Sequence, residues 1–321
     1  MQTGRVVEGD AGSSTGRDAT VQELARGAVA RALGRRVPAR EVQVVHSTDT
    51  TAVLLVRSAG AKERVVVKFA RLPGSATGSG TNFARTAAVI GLARAVGVPA
   101  PTVLAVDTSG RPGAWQYLMQ EHIGGIPWRR VKPLLDERQL DAAHREIAEA
   151  VLAMQTIRFD GFGELDRTGR PAGVTLLDGL RQRADRILQL RDRDAFLELL
   201  GLQAPLFDAP HGSATLTHDD LHHGNVLFAR RADTWRLAGL IDWDKAWSGS
   251  RESDVARMAF WDDMTGPGFW QVYDRAASFA AGWEHRFAIY QLLWCLEYDD
   301  GTDRHIADTA GLWHRLGDGP P

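Results

Sequence analysis

Apolar residues in the N-terminal part of the chain follow first a helical and then a strand spacing. Between residues 21 and 33 they recur every three or four positions, which predicts an amphipathic helix. Three β-branched runs follow at 42–45, 52–56 and 65–69. The polar stretch Ser47–Thr51 lies between the first two runs, and this arrangement predicts a hairpin loop.

The segment that follows predicts one helix and two further strands. A Gly/Ser-rich loop leads into helical spacing over 82–96, and a proline-rich turn ends it. Strand-like runs at 103–106 and 114–121 come next. We therefore expect residues 19–122 to form a β-rich lobe.

Helical patterns dominate after the hinge-like segment 123–127. They cover about 136–157, 174–190, 194–201 and 252–316, with short β runs at 225–228 and 237–241. The sequence thus predicts an α+β fold of two lobes, with a large, mainly helical second lobe over 123–321. Residues 1–18 are rich in Gly, Ser, Thr and charge and lack periodicity, so we expect a flexible leader.

Composition narrows the class of protein. The chain has 321 residues, 44% hydrophobic and 24% charged, which is typical of a globular protein. Its single cysteine, Cys295, lies in an apolar stretch and is expected to be a buried core residue. No apolar run has the length of a membrane span, and the N-terminus lacks a signal pattern, so we expect a cytoplasmic protein without a membrane partner. A net charge of −2 gives no indication of nucleic-acid binding.

Two acids and an amide at short spacing are the most informative feature of the sequence. The segment from His218 to Asn225 predicts a polar loop between a helix and a short strand, with Asp220 five residues before Asn225. Asp242 then closes the next apolar strand. Together these side chains supply a proton acceptor and two oxygen ligands. Because Mg²⁺ in proteins prefers a few such oxygens together with phosphate oxygens, the pattern favours a metal–nucleotide site.

Lys68 is the residue expected to neutralise phosphate charge at such a site. It is one of only four lysines among 38 basic residues, and it interrupts an apolar strand. Alternate side chains of a strand share a face, so Lys68 can reach a ligand while its neighbours pack. A lysine that blunts an edge strand is the alternative interpretation.

A zinc-dependent hydrolase is a rival hypothesis from another class. His218, Asp220, His222 and His223 are ligand types that zinc uses. This interpretation leaves Lys68, Asn225 and Asp242 without a role. The histidines further along the chain lie in predicted helices and not at strand ends. It therefore explains less of the pattern.

The ordered set His218-x-Asp220-x4-Asn225, Ile241-Asp242-Trp243 and Asp254-Val255-Ala256 resembles the aminoglycoside phosphotransferase and choline-kinase-like family. The resemblance extends over about residues 40–300. Enzymes of that family share the eukaryotic protein-kinase fold. The resemblance implies transfer of a nucleoside triphosphate's terminal phosphate to a small-molecule hydroxyl.

The resemblance also assigns roles to individual residues. Asp220 would be the catalytic base, and Asn225 and Asp242 would hold Mg²⁺. Lys68 would contact the α- and β-phosphates of ATP or GTP. His218 and Asp254 would brace the catalytic loop. The remaining nucleotide contacts would come from the phosphate-covering loop, with Ser47, Thr48, Thr50 and Thr51, and from the backbone of Gln120 and His122.

Three features of the sequence depart from the family pattern. Asp219 stands where glycine is usual, and the phosphate-covering loop contains no glycine. Thr86 occupies the place of the helix glutamate that pairs with the strand lysine. The last two departures motivate a further alternative, a kinase-like binding module without catalysis.

The acceptor is expected to be a cationic small molecule. Residues 216–303 carry 15 acidic and 8 basic side chains, and several acids lie beside tryptophans. Such carboxylate and aromatic groups suit an ammonium-bearing ligand, and an antibiotic such as an aminoglycoside or a basic cyclic peptide is the favoured acceptor. The candidate contacts are Trp261, Asp262, Asp263, Asp299, Asp300 and Asp303. A metabolic acceptor such as choline, homoserine or a sugar is the alternative to an antibiotic. A purely structural interpretation of the same residues is that the tryptophan lies in the core and the acids cap helices.

Overall fold

The chain divides into two compact units. The computed structural model describes residues 11–57, 64–72, 80–111, 113–188, 190–208, 213–260, 264–298 and 301–317. The first unit comprises residues up to 87 together with 101–122, and the second comprises 88–100 and everything from 123 onward. One boundary thus lies between His122 and Ile123. Residues 88–100, which the sequence analysis assigned to the β-rich lobe, belong to the second unit.

A five-stranded antiparallel sheet forms the centre of the first unit. Its strands are β1 (Val42–Ser47), β2 (Thr51–Arg57), β3 (Arg64–Arg71), β4 (Val103–Asp107) and β5 (Trp115–Glu121), in the spatial order β1-β2-β3-β5-β4. Buried and more exposed positions alternate along β2 and β3, as the strand spacing predicted. The mixed fold of an antiparallel sheet and many helices confirms the predicted α+β class.

Helix α1 (Ala11–Leu33) belongs to the same hydrophobic core as one face of this sheet. Val21, Ala25 and Val29 lie at helical spacing in this core, together with Leu54 of β2 and Val67 of β3. The helix begins at Ala11, so residues 11–18, expected to belong to a flexible leader, are helical. Residues 11–18 carry no apolar periodicity in the sequence, so the pattern could not detect this part of the helix.

The side chain of Gln116 fixes the start of helix α2 (Phe83–Ala95). Gln116 is buried in β5, and its Oε1 accepts a hydrogen bond from the backbone of Phe83 at 3.1 Å. Its Nε2 donates to the carbonyl of Thr81 at 2.7 Å. A buried amide therefore satisfies two backbone groups at this helix end.

Two small antiparallel sheets lie in the second unit. Their strands are β6 (Ile126–Pro127), β7 (Arg158–Phe159), β8 (Ala214–Thr217), β9 (Val226–Arg231), β10 (Thr234–Leu240) and β11 (Trp247–Gly249). One sheet has the order β10-β9-β6, and the other has the order β11-β8-β7. The sequence pattern predicted a helix before the loop at 218–225, but strand β8 precedes this loop. Four residues are too few to show a period, and pairing with β7 and β11 defines this strand.

Helices form most of the rest of the second unit. They are α3 (Trp128–Val131), α4 (Glu137–Met154), α5 (Leu176–Ile187), α6 (Leu190–Leu202), α7 (Pro205–Asp208), α8 (Arg251–Phe260), α9 (Pro267–Ala276), α10 (Trp283–Glu297) and α11 (Asp303–Leu316). A capping box of Asp136 and Gln139 begins α4. Cys295 is a free, buried thiol, as predicted. Within the described residues, none of the helices combines the length and the apolarity of a membrane span.

A buried ion pair links α8 to α10. Arg286 donates to both carboxylate oxygens of Glu252 at 2.7 Å, and both side chains are almost fully buried. The same guanidinium also donates to the carbonyls of Leu206, Ala280 and Ala281. Because its donors are satisfied, this charge is tolerated inside the unit.

Candidate functional site

The loop between β8 and β9 is braced by Asp254 of helix α8. Asp254 is fully buried and accepts hydrogen bonds from the backbone of His218 at 2.8 Å and of Asp219 at 2.7 Å. Burial raises the pKa of Asp254 to about 7, with the nearby Asp219 carboxylate acting in the same direction. This acid therefore holds the backbone of the loop from inside the core.

Asp219 adopts the left-handed conformation, with φ of 58°. Glycine is favoured there, and Asp is among the few other residues that tolerate it. Its carboxylate forms an ion pair with Arg183 of α5, which also donates to Glu164 at 3.0 Å. Burial alone would lower the pKa of Arg183, but these carboxylates raise it overall. The aspartate thus provides an anchor to α5 that glycine lacks.

Asp220 and Asn225 are joined by side-chain hydrogen bonds. The Nδ2 of Asn225 donates to the backbone carbonyl of Asp220 at 3.0 Å and to its Oδ2 at 3.1 Å. Each residue is only 7% exposed. Since Nδ2 is used by Asp220, the Oδ1 of Asn225 is the atom suited to hold a cation.

The backbone brings Asp242 beside Asn225. Strands β9 and β10 pair Val226 with Leu240, and the amide of Ile241 donates to the carbonyl of Asn225 at 3.0 Å. The next residue, Asp242, has φ of 72°, and its side chain is exposed. An amide oxygen and an exposed carboxylate on neighbouring strand ends fit the oxygen ligands that Mg²⁺ takes.

Arg257 and Tyr298 contact Asp220, and neither residue was predicted from the sequence. The Nη2 of Arg257 donates to Oδ1 of Asp220 at 2.7 Å, and the hydroxyl of Tyr298 donates to the same oxygen at 3.3 Å. The guanidinium lies 4.4 Å from the ring centre of Trp294, a cation–π contact. Arg257 follows Asp254 by three positions on one helix, which was a usable signal, whereas no local pattern marks Tyr298.

A small pocket of about 20 Å³, with room for about one water molecule, adjoins these side chains. Its lining includes Arg183, Asp219, Arg257, Trp294 and Glu297. The charges of these residues balance, and the aromatic face adds apolar surface.

His218 supports the loop from within the core. Its Nε2 lies 3.1 Å from the carbonyl of Ile241, so this nitrogen carries the proton, and its ring packs 4.4 Å from that of Trp243. Burial lowers the pKa of His218 to about 4. Its contacts therefore favour the bracing role over zinc binding. Among the described residues, no cluster of three His, Cys, Asp or Glu side chains is arranged to hold a metal ion.

Lys68 lies on β3 of the first unit, paired with Val53 and Leu118. Its neighbours Val67 and Phe69 are buried in the core shared with α1, so Lys68 lies on the other face of the sheet. Thr86, at the expected place of the pairing glutamate, donates its hydroxyl to the carbonyl of Asn82 at 3.2 Å. The phosphate contact of Lys68 stays a prediction.

The Ser47–Thr51 turn is closed by Thr48. Its Oγ1 accepts hydrogen bonds from the amides of Thr50 at 3.2 Å and Thr51 at 3.0 Å. No described residue of the turn has a positive φ, so the backbone has no need of glycine. Two amides that a phosphate-covering loop would offer are thus occupied.

Gln120 is buried within β5, and His122 follows the strand. The amide of His122 donates to the carbonyl of Arg64 at 3.0 Å, which completes the ladder with β3. This donor is therefore taken within the sheet. The purine contacts expected from the backbone of Gln120 and His122 remain predictions.

Most acceptor candidates lie outside the described residues, namely Trp261, Asp262, Asp263, Asp299 and Asp300. Asp303 is described and exposed. It opens α11 directly after the cap Thr302, whose Oγ1 accepts from the amide of His305 at 3.2 Å. An acid in the first turn stabilises a helix dipole, so Asp303 has a structural role at this helix end. Its contact with an acceptor stays a prediction.

Comparison with protein families shows to which family the chain belongs. Residues 41–288 match the model of the phosphotransferase enzyme family, APH. The chain belongs to this family. The match confirms the resemblance seen in the loop motif, and it includes every residue of that motif. No curated protein matches the sequence.

Solved structures with the same fold include several phosphotransferases. A thermostable mutant of aminoglycoside phosphotransferase APH(4)-Ia in its apo form has a TM-score of 0.64 at 19% identity, covering 91% of this chain and 96% of that one. A putative fructosamine-3-kinase from Thermobifida fusca has a TM-score of 0.61 at 23% identity, covering 91% and 97%. The streptomycin-ATP-APH(2")-IIa ternary complex has a TM-score of 0.56 at 16% identity, covering 96% and 97%. At these sequence identities, the structural similarity establishes the fold of this chain alone.

Proposed function

We propose that this phosphotransferase moves the γ-phosphate of ATP or GTP to a hydroxyl group of a small molecule. The observation that carries the proposal is the hydrogen-bonded pair of Asp220 and Asn225, with Asp242 on the adjacent strand end. Phosphoryl transfer depends mainly on positioning and charge stabilisation, and this loop supplies an oriented base beside oxygen ligands.

Each residue has a defined task in this reaction. Asp220 accepts a hydrogen bond from the attacking hydroxyl and takes its proton as the bond to phosphorus forms. Asn225 and Asp242 would hold Mg²⁺, which would supply positive charge to neutralise the phosphates. Lys68 binds the α- and β-phosphates, and His218 and Asp254 keep the loop in place.

We propose a basic antibiotic as the acceptor, with resistance as the outcome. Phosphotransferase structures with this fold support the choice: one is a ternary complex with AMP-PNP and hygromycin B, and another is a ternary complex with streptomycin and ATP. The acidic residues between 216 and 303 would pair with its ammonium groups.

A metabolic alcohol is the second candidate acceptor, and the charge balance around the small pocket beside the loop favours it. Among its described residues, Arg183 and Arg257 balance Asp219 and Glu297, which gives no net attraction for a cation. The similar fold of a putative fructosamine-3-kinase points in the same direction. A sugar-like acceptor is therefore included in the screen described next.

A nucleotide-turnover screen tests both candidates. ATP and GTP are each supplied with Mg²⁺ against a panel of aminoglycosides, basic cyclic peptides, amino alcohols and sugars, and phosphorylated products are detected by mass spectrometry. We expect one class to be phosphorylated and Asp220→Ala to lose the activity. Absence of any phosphorylated product would sink the proposal, and an Asp220→Ala variant as active as wild type would remove the base assignment.

A further inference from the structure

The two oxygens of the Asp220 carboxylate have different surroundings. Oδ1 accepts from Arg257 at 2.7 Å and from Tyr298 at 3.3 Å. Oδ2 accepts from Asn225 at 3.1 Å. Each carboxylate oxygen has two lone pairs. Among the described residues, the donors therefore fill Oδ1 and leave one lone pair on Oδ2.

Arg257 is held in place by groups other than Asp220. Its Nη1 donates to the carbonyl of Asp219, and its guanidinium lies 4.4 Å from the ring of Trp294 and 5.5 Å from the ring of Tyr298. The side chain is 7% exposed. A planar guanidinium fixed in this way directs its Nη2 at one carboxylate oxygen, and the charge-assisted hydrogen bond is stronger than a neutral one.

We propose that Arg257 is a positioning residue, which occupies Oδ1 of Asp220 and presents Oδ2 to the acceptor hydroxyl. This role rests on the proposed function. In the reaction the hydroxyl oxygen bonds to the γ-phosphorus while its proton passes to Oδ2. The bond from that phosphorus to the bridging oxygen breaks, and the nucleoside diphosphate leaves with the electron pair. Without Arg257 the carboxylate can rotate, and the base no longer faces the hydroxyl.

Kinetics of Arg257 variants test the role. In Arg257→Met we expect kcat to fall about 100-fold while KM for the nucleotide stays within about twofold, because misplacement of a reacting group by about 1 Å costs this much. Arg257→Lys keeps the positive charge but lacks the planar set of guanidinium donors. Its kcat should lie between the values of Arg257→Met and wild type. Millimolar guanidinium should restore part of the kcat of Arg257→Ala. It should leave Asp220→Ala unchanged.

Arg286→Lys is the matched control, since Arg286 is equally buried but pairs with Glu252, away from Asp220. It should lower Tm, with kcat per folded molecule unchanged and no response to guanidinium. Equal losses of kcat in the Arg257 and Arg286 variants would overturn the proposal and leave a purely structural role.

Crystal structures separate this proposal from the proposed function. In Arg257→Lys, and in Arg257→Met if it folds, we expect the Asp220 carboxylate to turn away from Asn225 or to occupy two conformers. An unmoved carboxylate would overturn the positioning role whatever the activity. A wild type without turnover but with a displaced carboxylate in the variants would reject the proposed function and retain the positioning role.

Discussion

The side chain of Asn225 binds Asp220 twice, through its carbonyl at 3.0 Å and through its Oδ2 at 3.1 Å. One amide nitrogen thereby fixes both the backbone and the carboxylate of the candidate base. The amide oxygen remains for a cation. This division of one side chain between two tasks makes position 225 a sensitive test of the site.

Replacement of Asn225 by aspartate should abolish most activity. The change keeps an oxygen ligand but removes the Nδ2 donor and sets two carboxylates side by side, so we expect kcat to fall about 100-fold. Phosphoryl transfer measured over a magnesium titration checks this. Asp233→Asn, on the exposed turn between β9 and β10, is the control and should match wild type. Full activity of Asn225→Asp at every magnesium concentration would contradict the assignment.

Loss of the Asp254 carboxylate should destabilise the second unit. Two buried amides, those of His218 and Asp219, would lose their acceptors, and each unsatisfied group costs about 1–3 kcal/mol. We expect Asp254→Ala to lower the free energy of unfolding by about 3 kcal/mol in urea titrations. Asp254→Asn retains one acceptor oxygen and should cost less. If both variants unfold like wild type, the bracing role is wrong.

His218 should make the stability of the metal-free protein depend on pH. Burial lowers its pKa to about 4 from an ordinary value of 6.5. Between these values the unfolded chain binds a proton that the folded chain does not, so the free energy of unfolding falls as pH falls. The full effect of this residue is about 3 kcal/mol.

Thermal unfolding of wild type and His218→Gln at pH 4 to 8 measures this contribution. Their difference removes the opposite trend of Asp254, whose raised pKa favours the folded state at low pH. We expect the wild type to lose more stability than the variant as pH falls below 6.5. Parallel pH curves would show that His218 titrates normally in the folded protein.

The Glu252–Arg286 pair should show strong coupling in a double-mutant cycle. Removal of one partner leaves a buried charge without compensation, which costs about 3–5 kcal/mol. We expect Arg286→Met to be destabilised by this amount and the double variant with Glu252→Gln to recover part of it. Additive losses in urea unfolding would mean that the two charges do not depend on each other.

The sequence by itself determined the features that are local along the chain. Strand spacing placed Lys68 between buried neighbours, and the short segment from His218 to Asn225 showed its loop because its residues are close in sequence. Membership of the phosphotransferase family was predicted from this segment together with Asp242. Local spacing sufficed because backbone geometry fixes which nearby residues share a face or a turn.

Only the tertiary structure decided which distant groups surround the base. Arg257 and Tyr298 follow Asp220 by 37 and 78 residues, and packing of α8 and α10 brings them to its Oδ1. The short strand β8 likewise depends on partners on both sides. Hydrophobic periodicity records which face of an element is buried but not what it is buried against. The partners of a buried charge are therefore set by long-range packing.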